Sequence, residues 1–226
     1  MIKKHTVKLI GIALIVLGFS YVYSGILQAT GLTTNTFVST FLNLLFGGIA
    51  IYGGINLVRL QEVGRKVSVI CFAWILLQIA ITQLPKFWSG ESPFLAPLNV
   101  KYLVVIICGY ALYTSALILL LDNKAIEIMN YDDRIMQKTG IILAYCAPGL
   151  GRALTNNFFI GMGLFFGYQL ILAVVFSQQD LTTTIPASLG IWLFFSFIDR
   201  AAVKKAFEVE QAESDMIENE PEKNRG

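Results

Sequence analysis

Two short stretches of this chain hold the residue types and spacing that could do chemistry. Asp199-Arg200 closes one apolar run, and Pro148-Gly149-Leu150-Gly151-Arg152 closes another. A carboxylate at such a point can move a proton, pair with a cation or bind main-chain donors. The spacing suggests that Asp199 either pairs with Arg152 or accepts N–H bonds from the turn at Gly149–Gly151. Pro148, Gly149, Gly151, Arg152 and Asp199 are therefore a candidate structural turn. Gly149-Leu150-Gly151 is not a phosphate loop, because no strand precedes it and no Gly-Lys-Ser/Thr follows.

Other reactive constellations are missing from the sequence. His5 is the only histidine, and Cys71, Cys108 and Cys146 lie in apolar runs without a C-x-x-C pair. A Cys/His metal site lacks ligands on that count, and the thiols read as small apolar packing groups. Neither H-E-x-x-H nor G-x-S-x-G occurs, and no nucleophile has a base beside it. The expectation is a chain without catalytic, cofactor or metal residues, and not an enzyme. Asn43, Asn56, Gln78 and Gln169 are the candidate polar lining of any solute path; the same amides also serve as glue between helices.

Composition explains the scarcity. Of 226 residues, 55% are hydrophobic and 14% charged, and the mean hydropathy is +0.65. Soluble domains carry about 25% charged residues, enough to build a polar shell. This chain cannot build one, which excludes an ordinary cytosolic enzyme, a nucleic-acid binder and a disulfide-stapled secreted module. A net charge of +2 implies no polyanionic partner. The class left is an all-α integral membrane protein, with the lipid bilayer as its first partner.

A hydrocarbon core of about 30 Å takes roughly 20 residues of apolar helix. Six runs fit: Val7–Leu27, Thr40–Val58, Val67–Leu84, Tyr102–Leu121, Asn157–Ser177 and Thr183–Ile198. Pro186 falls at the start of the last, where a missing N–H is tolerated. A seventh run, Gly140–Leu150, is too short to cross and reads as a re-entrant or interfacial half-helix. The first run reads as an uncleaved anchor, since Leu27-Gln28-Ala29 is a poor signal-peptide cleavage site. Placing the N-terminus in the cytoplasm puts fifteen of the 17 Lys and Arg residues inside, leaving Lys86 and Lys101 outside. That bias orients an inner-membrane protein with both termini cytoplasmic. Apart from Lys8 at the inner edge of the first, the first five spans hold no Asp, Glu, Lys, Arg or His.

Four regions follow. Residues 1–121 form a four-span bundle, and 122–139 an amphipathic cytoplasmic connector. Residues 140–207 form the half-helix with two spans, and 208–226 an acidic tail that extends the last helix and then loses order. Between spans three and four, Phe87, Trp88 and Phe94 suit the headgroup belt. Arg59–Lys66 is a tight charged turn between spans two and three. Glycines gather at Gly47, Gly48, Gly53 and Gly54, and at Gly161, Gly163 and Gly167, where Gly163-x-x-x-Gly167 fits close helix packing inside the chain.

Residues Lys138–Ala206 resemble a family of two-helix membrane modules found in many small bacterial proteins. Those modules set a Pro-Gly-x-Gly turn before one span and end the next with Trp, several apolar residues and Asp. Pro148, Gly149, Gly151, Trp192 and Asp199 carry the likeness, over less than a third of the chain. Where the family continues its turn with aromatic residues and another glycine, this chain has Leu154, Thr155 and Asn156. The resemblance implies a packing module without catalytic chemistry.

These readings converge on a non-catalytic membrane subunit or scaffold that packs with other membrane proteins or with itself. The alternative is a channel or carrier for a small neutral or hydrophobic solute. A third option is a lipid-modifying enzyme using Tyr, Ser or Asp199.

Overall fold

The computed structural model describes residues 4–30, 37–88, 100–155, 157–176 and 181–218. The aromatic loop around Phe94 and the end of the acidic tail, 219–226, lie outside the described residues. Among the described residues the chain is all-helical, without strands. In order the helices are α1 (Lys4–Ala29), α2 (Phe37–Val58), α3 (Glu62–Trp88), α4 (Val100–Leu121), α5 (Asn123–Glu127), α6 (Asp133–Cys146), α7 (Leu150–Leu154), α8 (Phe158–Phe176) and α9 (Leu181–Glu218). Three of them contain a stretch long and apolar enough to cross a membrane: Lys4–Ala29, Thr40–Val58 and Pro186–Val209. Shorter apolar stretches run over Ile107–Leu121 and Phe158–Ile171. The chain divides into two compact units, Met1–Asp132 and Asp133–Gly226.

In the first unit α1 and α2 form an antiparallel pair whose backbones nearly touch. The glycines involved repeat every seven residues on both helices, as in a coiled-coil seam. A Cβ added at Gly18 would lie 2.8 Å from the Gly47 carbonyl oxygen, and one at Gly54 would lie 2.6 Å from that of Gly11. Gly25 meets Leu44 in the same way. In lipid, burying apolar area adds little, so close small-residue contact is what joins helices. Gly48 is the exception, with open space around it.

The chain then reverses in three residues. Leu60 takes a left-handed conformation (φ 57°), and Gly64 passes so close that an added Cβ would meet the Leu57 nitrogen at 2.3 Å. Only glycine fits there. The following helix, α3, is central: Val63, Val67, Val69, Ile70, Cys71, Phe72 and Ile75 are all buried. Asp122 caps α5 by accepting the Lys124 N–H at 2.9 Å. After it, Asn130 bonds to the α2–α3 turn, donating to the Leu60 carbonyl at 2.8 Å and accepting from Glu62 N–H at 2.9 Å.

The second unit corrects one sequence boundary. The expected half-helix at Gly140 begins instead at Asp133, ends at Cys146, and is separated from α7 by Ala147-Pro148-Gly149. Its buried stripe, Met136, Thr139, Gly140, Leu143 and Ala144, keeps helical spacing straight through the point where composition turns from charged to apolar. Periodicity, not polarity, sets the element. The last helix runs on from the sixth expected span to Glu218, because Val203 and Phe207 remain buried one and two turns beyond Asp199. At 1.5 Å per residue its 38 residues measure about 57 Å, well beyond a hydrocarbon core. A further correction concerns the thiols: Cys71 is buried, but Cys108 and Cys146 are exposed among the described residues.

Candidate functional site

Asp199 lies on α9 facing the α6–α7 turn, with only 1% of its surface exposed. Its Oδ2 accepts the N–H of Gly149 at 2.9 Å and of Gly151 at 3.1 Å. Its Oδ1 accepts the N–H of Arg152, also at 3.1 Å. Arg152 therefore meets the carboxylate through its main chain. A buried carboxylate is tolerable only when its lone pairs are met, and these three donors meet them. They are also the unpaired first N–H groups of α7, so Asp199 caps that helix from another element.

Sequence explains why the turn closes so tightly. Gly149 has φ +98°, a conformation L side chains avoid, and a Cβ there would lie 2.5 Å from the Gly161 oxygen. At Gly151 it would lie 2.5 Å from the Gly140 oxygen, and at Gly161 it would lie 2.3 Å from the Ala153 nitrogen. Four glycines thus let α6, α7 and α8 close around one turn while α9 supplies the carboxylate. Beside it, Ser196 Oγ donates to the Tyr145 carbonyl at 3.4 Å, and the Arg200 guanidinium stands over the Tyr145 ring at 5.4 Å. Trp192, earlier on α9, has its indole N–H buried without a hydrogen-bond partner among the described residues.

The four candidate lining amides are divided between the two units. Asn43 donates to Gln28 Oε1 at 3.0 Å, and Asn56 turns back to its own helix, donating to the Tyr52 carbonyl at 2.9 Å. Gln78 is exposed on α3, and Gln169 is half-buried in the other unit. A cavity of about 730 Å³ opens between α1 and α4 above Phe72, and none of the four amides lines it.

A second buried charged centre escaped the sequence reading. Arg65 makes a two-pronged bond to Glu62, through Nε to Oε2 at 2.7 Å and through Nη2 to Oε1. Its Nη1 donates to the Leu120 carbonyl at 2.8 Å, capping the C-terminal end of α4 where the helix dipole favours a cation. Glu62 and Arg65 are 6% and 8% exposed. The signal was an acid and a base three apart at the start of a helix, the spacing that puts both on one face.

Among the described residues no group of three or more His, Cys, Asp or Glu is placed to hold a metal ion. What the buried charges do is mechanical: one ties α9 to the α6–α7 turn, the other ties the start of α3 to the end of α4. No protein-family model matches the chain, and comparisons with curated proteins and with solved structures return no match.

Proposed function

We propose that the chain is a non-catalytic subunit or scaffold of a bacterial inner membrane, crossing it six times with both termini in the cytoplasm. One observation carries the reading: the charged groups that are buried are engaged within the fold, while large apolar side chains stand outward. On α1, Leu9, Val16, Phe19 and Tyr23 are each at least 60% exposed, and on α8 Phe159 is 86% exposed. Soluble proteins rarely leave such surfaces bare, and in a bilayer they meet lipid or other helices. The excess of Lys and Arg on one side of the expected spans, fifteen of 17, supplies the orientation.

The subunit reading is favoured over the carrier because Asn43 bonds Gln28 and Asn56 bonds its own helix, and none of the four candidate amides lines the cavity of the first unit. A photoreactive residue at Phe159, in full-length protein extracted in mild detergent, tests it. A single membrane protein cross-linked in stoichiometric yield supports the reading. Cross-linking to lipid alone, or solute uptake by liposomes holding the pure protein, overturns it. Reporter fusions at residue 1 and after residues 60 and 130 test the topology, all three being expected in the cytoplasm.

A further inference from the structure

The cavity of the first unit is the feature that the scaffold reading leaves unused. Its walls are α1 and α4, with Leu9, Ala13 and Leu17 on one side, Leu112 and Ala116 on the other, and Phe72 of α3 at its base. Thr6, Tyr113 and two serines also line it, and both serine hydroxyls are turned back to their own helices. Ser20 Oγ donates to the Leu17 carbonyl at 2.7 Å, and Ser115 Oγ donates to the Ala111 carbonyl at 2.6 Å. Ten of the fourteen lining residues carry no polar side-chain atom, and such a wall suits hydrocarbon better than water, which needs two to four polar partners.

Shape narrows the occupant further. The lining runs along α1 from Thr6 to Ser20, about 21 Å at the helical rise, or two thirds of a hydrocarbon core. An elongated hydrocarbon fits a groove of that length and character. The two ends differ in charge. At the Thr6 end, where Leu119 of α4 also contributes, Lys4 and Lys8 are exposed on the first turns of α1, and Lys124 is exposed just past α4. The nearby Asp122 carboxylate is engaged in capping α5. Basic residues at the cytoplasmic edge of helices draw anionic headgroups.

We propose that this groove is a lipid site, holding one acyl chain of an anionic phospholipid whose headgroup rests against Lys4, Lys8 and Lys124. The inference rests on the membrane reading above, which the reporter fusions test separately.

Native mass spectrometry of the full-length protein in mild detergent tests it, with phosphatidylglycerol and phosphatidylcholine of identical chains added in turn. One phosphatidylglycerol should stay bound, favoured over phosphatidylcholine at least about fivefold. Ala13→Phe and Ala116→Phe, which fill the groove, should each abolish that adduct. Ile12→Phe, on the exposed surface beside it, should leave the adduct unchanged. Lys4→Gln, Lys8→Gln and Lys124→Gln together should equalise the two lipids. If a filled variant loses its cooperative melt, Ala13→Leu replaces it, with the same loss expected. Equal retention of both lipids by the unaltered protein overturns the proposal. So does a phosphatidylglycerol adduct that survives in folded Ala13→Phe and Ala116→Phe, or a co-purified protein displaced by those same variants.

Discussion

The Arg65 guanidinium donates to the carbonyl oxygen of Leu120, fifty-five residues away in sequence, while its other nitrogens grip Glu62. Arg65→Met strips the partner from a buried carboxylate and uncaps α4, a class of change that costs about 3–5 kcal/mol. Replacing both members is milder, because a buried pair is hardly better than its apolar substitute. Thermal unfolding in detergent should therefore rank Arg65→Met below the double variant Glu62→Gln/Arg65→Met. The reverse order would show that the pair does not stabilise through its mutual contact.

Asp199 is held by main-chain donors, which makes a distinctive prediction for charge reversal. Asp199→Arg should collapse expression of a fluorescent fusion, and adding Arg152→Asp should not restore it, because the N–H groups of Gly149, Gly151 and Arg152 still lack an acceptor. Asp199→Asn keeps one acceptor oxygen but turns an NH2 toward other donors. Leaving buried donors unmatched costs about 1–3 kcal/mol for each group, and the melting temperature should fall accordingly. Rescue by the reversed pair would mean that the Arg152 side chain, not its backbone, makes the contact.

How far these features were readable in advance depended on the range of the interaction. Apolar runs mark helices by length alone, so α1, α2 and α4 follow from local sequence. The start of α6 was hidden because residues 133–139 are charged and residues 140–146 apolar, although one buried stripe joins them. Asp199 stood out as a lone carboxylate ending an apolar run near a Pro-Gly break. Glu62 and Arg65 did not, since charges beside a short loop look solvated until the end of α4 is brought over them. The heptad glycines of α1 carry no local signal, because their meaning lies in α2. Asn56 carries none either, since nothing local tells an amide that bonds to its own helix from one lining a path.

Glycine substitutions separate close approach from open surface. Gly149→Ala must accept a left-handed backbone and a Cβ 2.5 Å from two backbone atoms, whereas Gly163 and Gly167 have open space around them. The contact expected at Gly163-x-x-x-Gly167 is thus not made among the described residues. Gly149→Ala should fail to yield folded protein, while Gly163→Ala and Gly167→Ala should melt within about 0.5 kcal/mol of the native chain, as exposed positions do. On the other unit, Gly18→Leu should part α1 from α2 and Gly48→Leu should not. Size-exclusion profiles and helicity of the purified variants check both pairs.

Neighbouring residues on the far half of α9 should behave oppositely. Phe207 is 9% exposed and lies within 4.0 Å of where a Cβ on Gly140 of α6 would be. Phe207→Ala removes a large buried ring, for which about 3–5 kcal/mol is the usual loss in a core. Lys204 pairs with Glu208 at 3.5 Å, but those side chains are 66% and 60% exposed. Water and salt screen such a pair, so Lys204→Ala should change stability by no more than about 1 kcal/mol. Limited proteolysis gives a local readout: cleavage between Ala201 and Val209 should accelerate sharply in Phe207→Ala and stay slow in Lys204→Ala. Equal cleavage of both would mean that this part of α9 stands free of α6, and that the helix persists by its own propensity and not by packing.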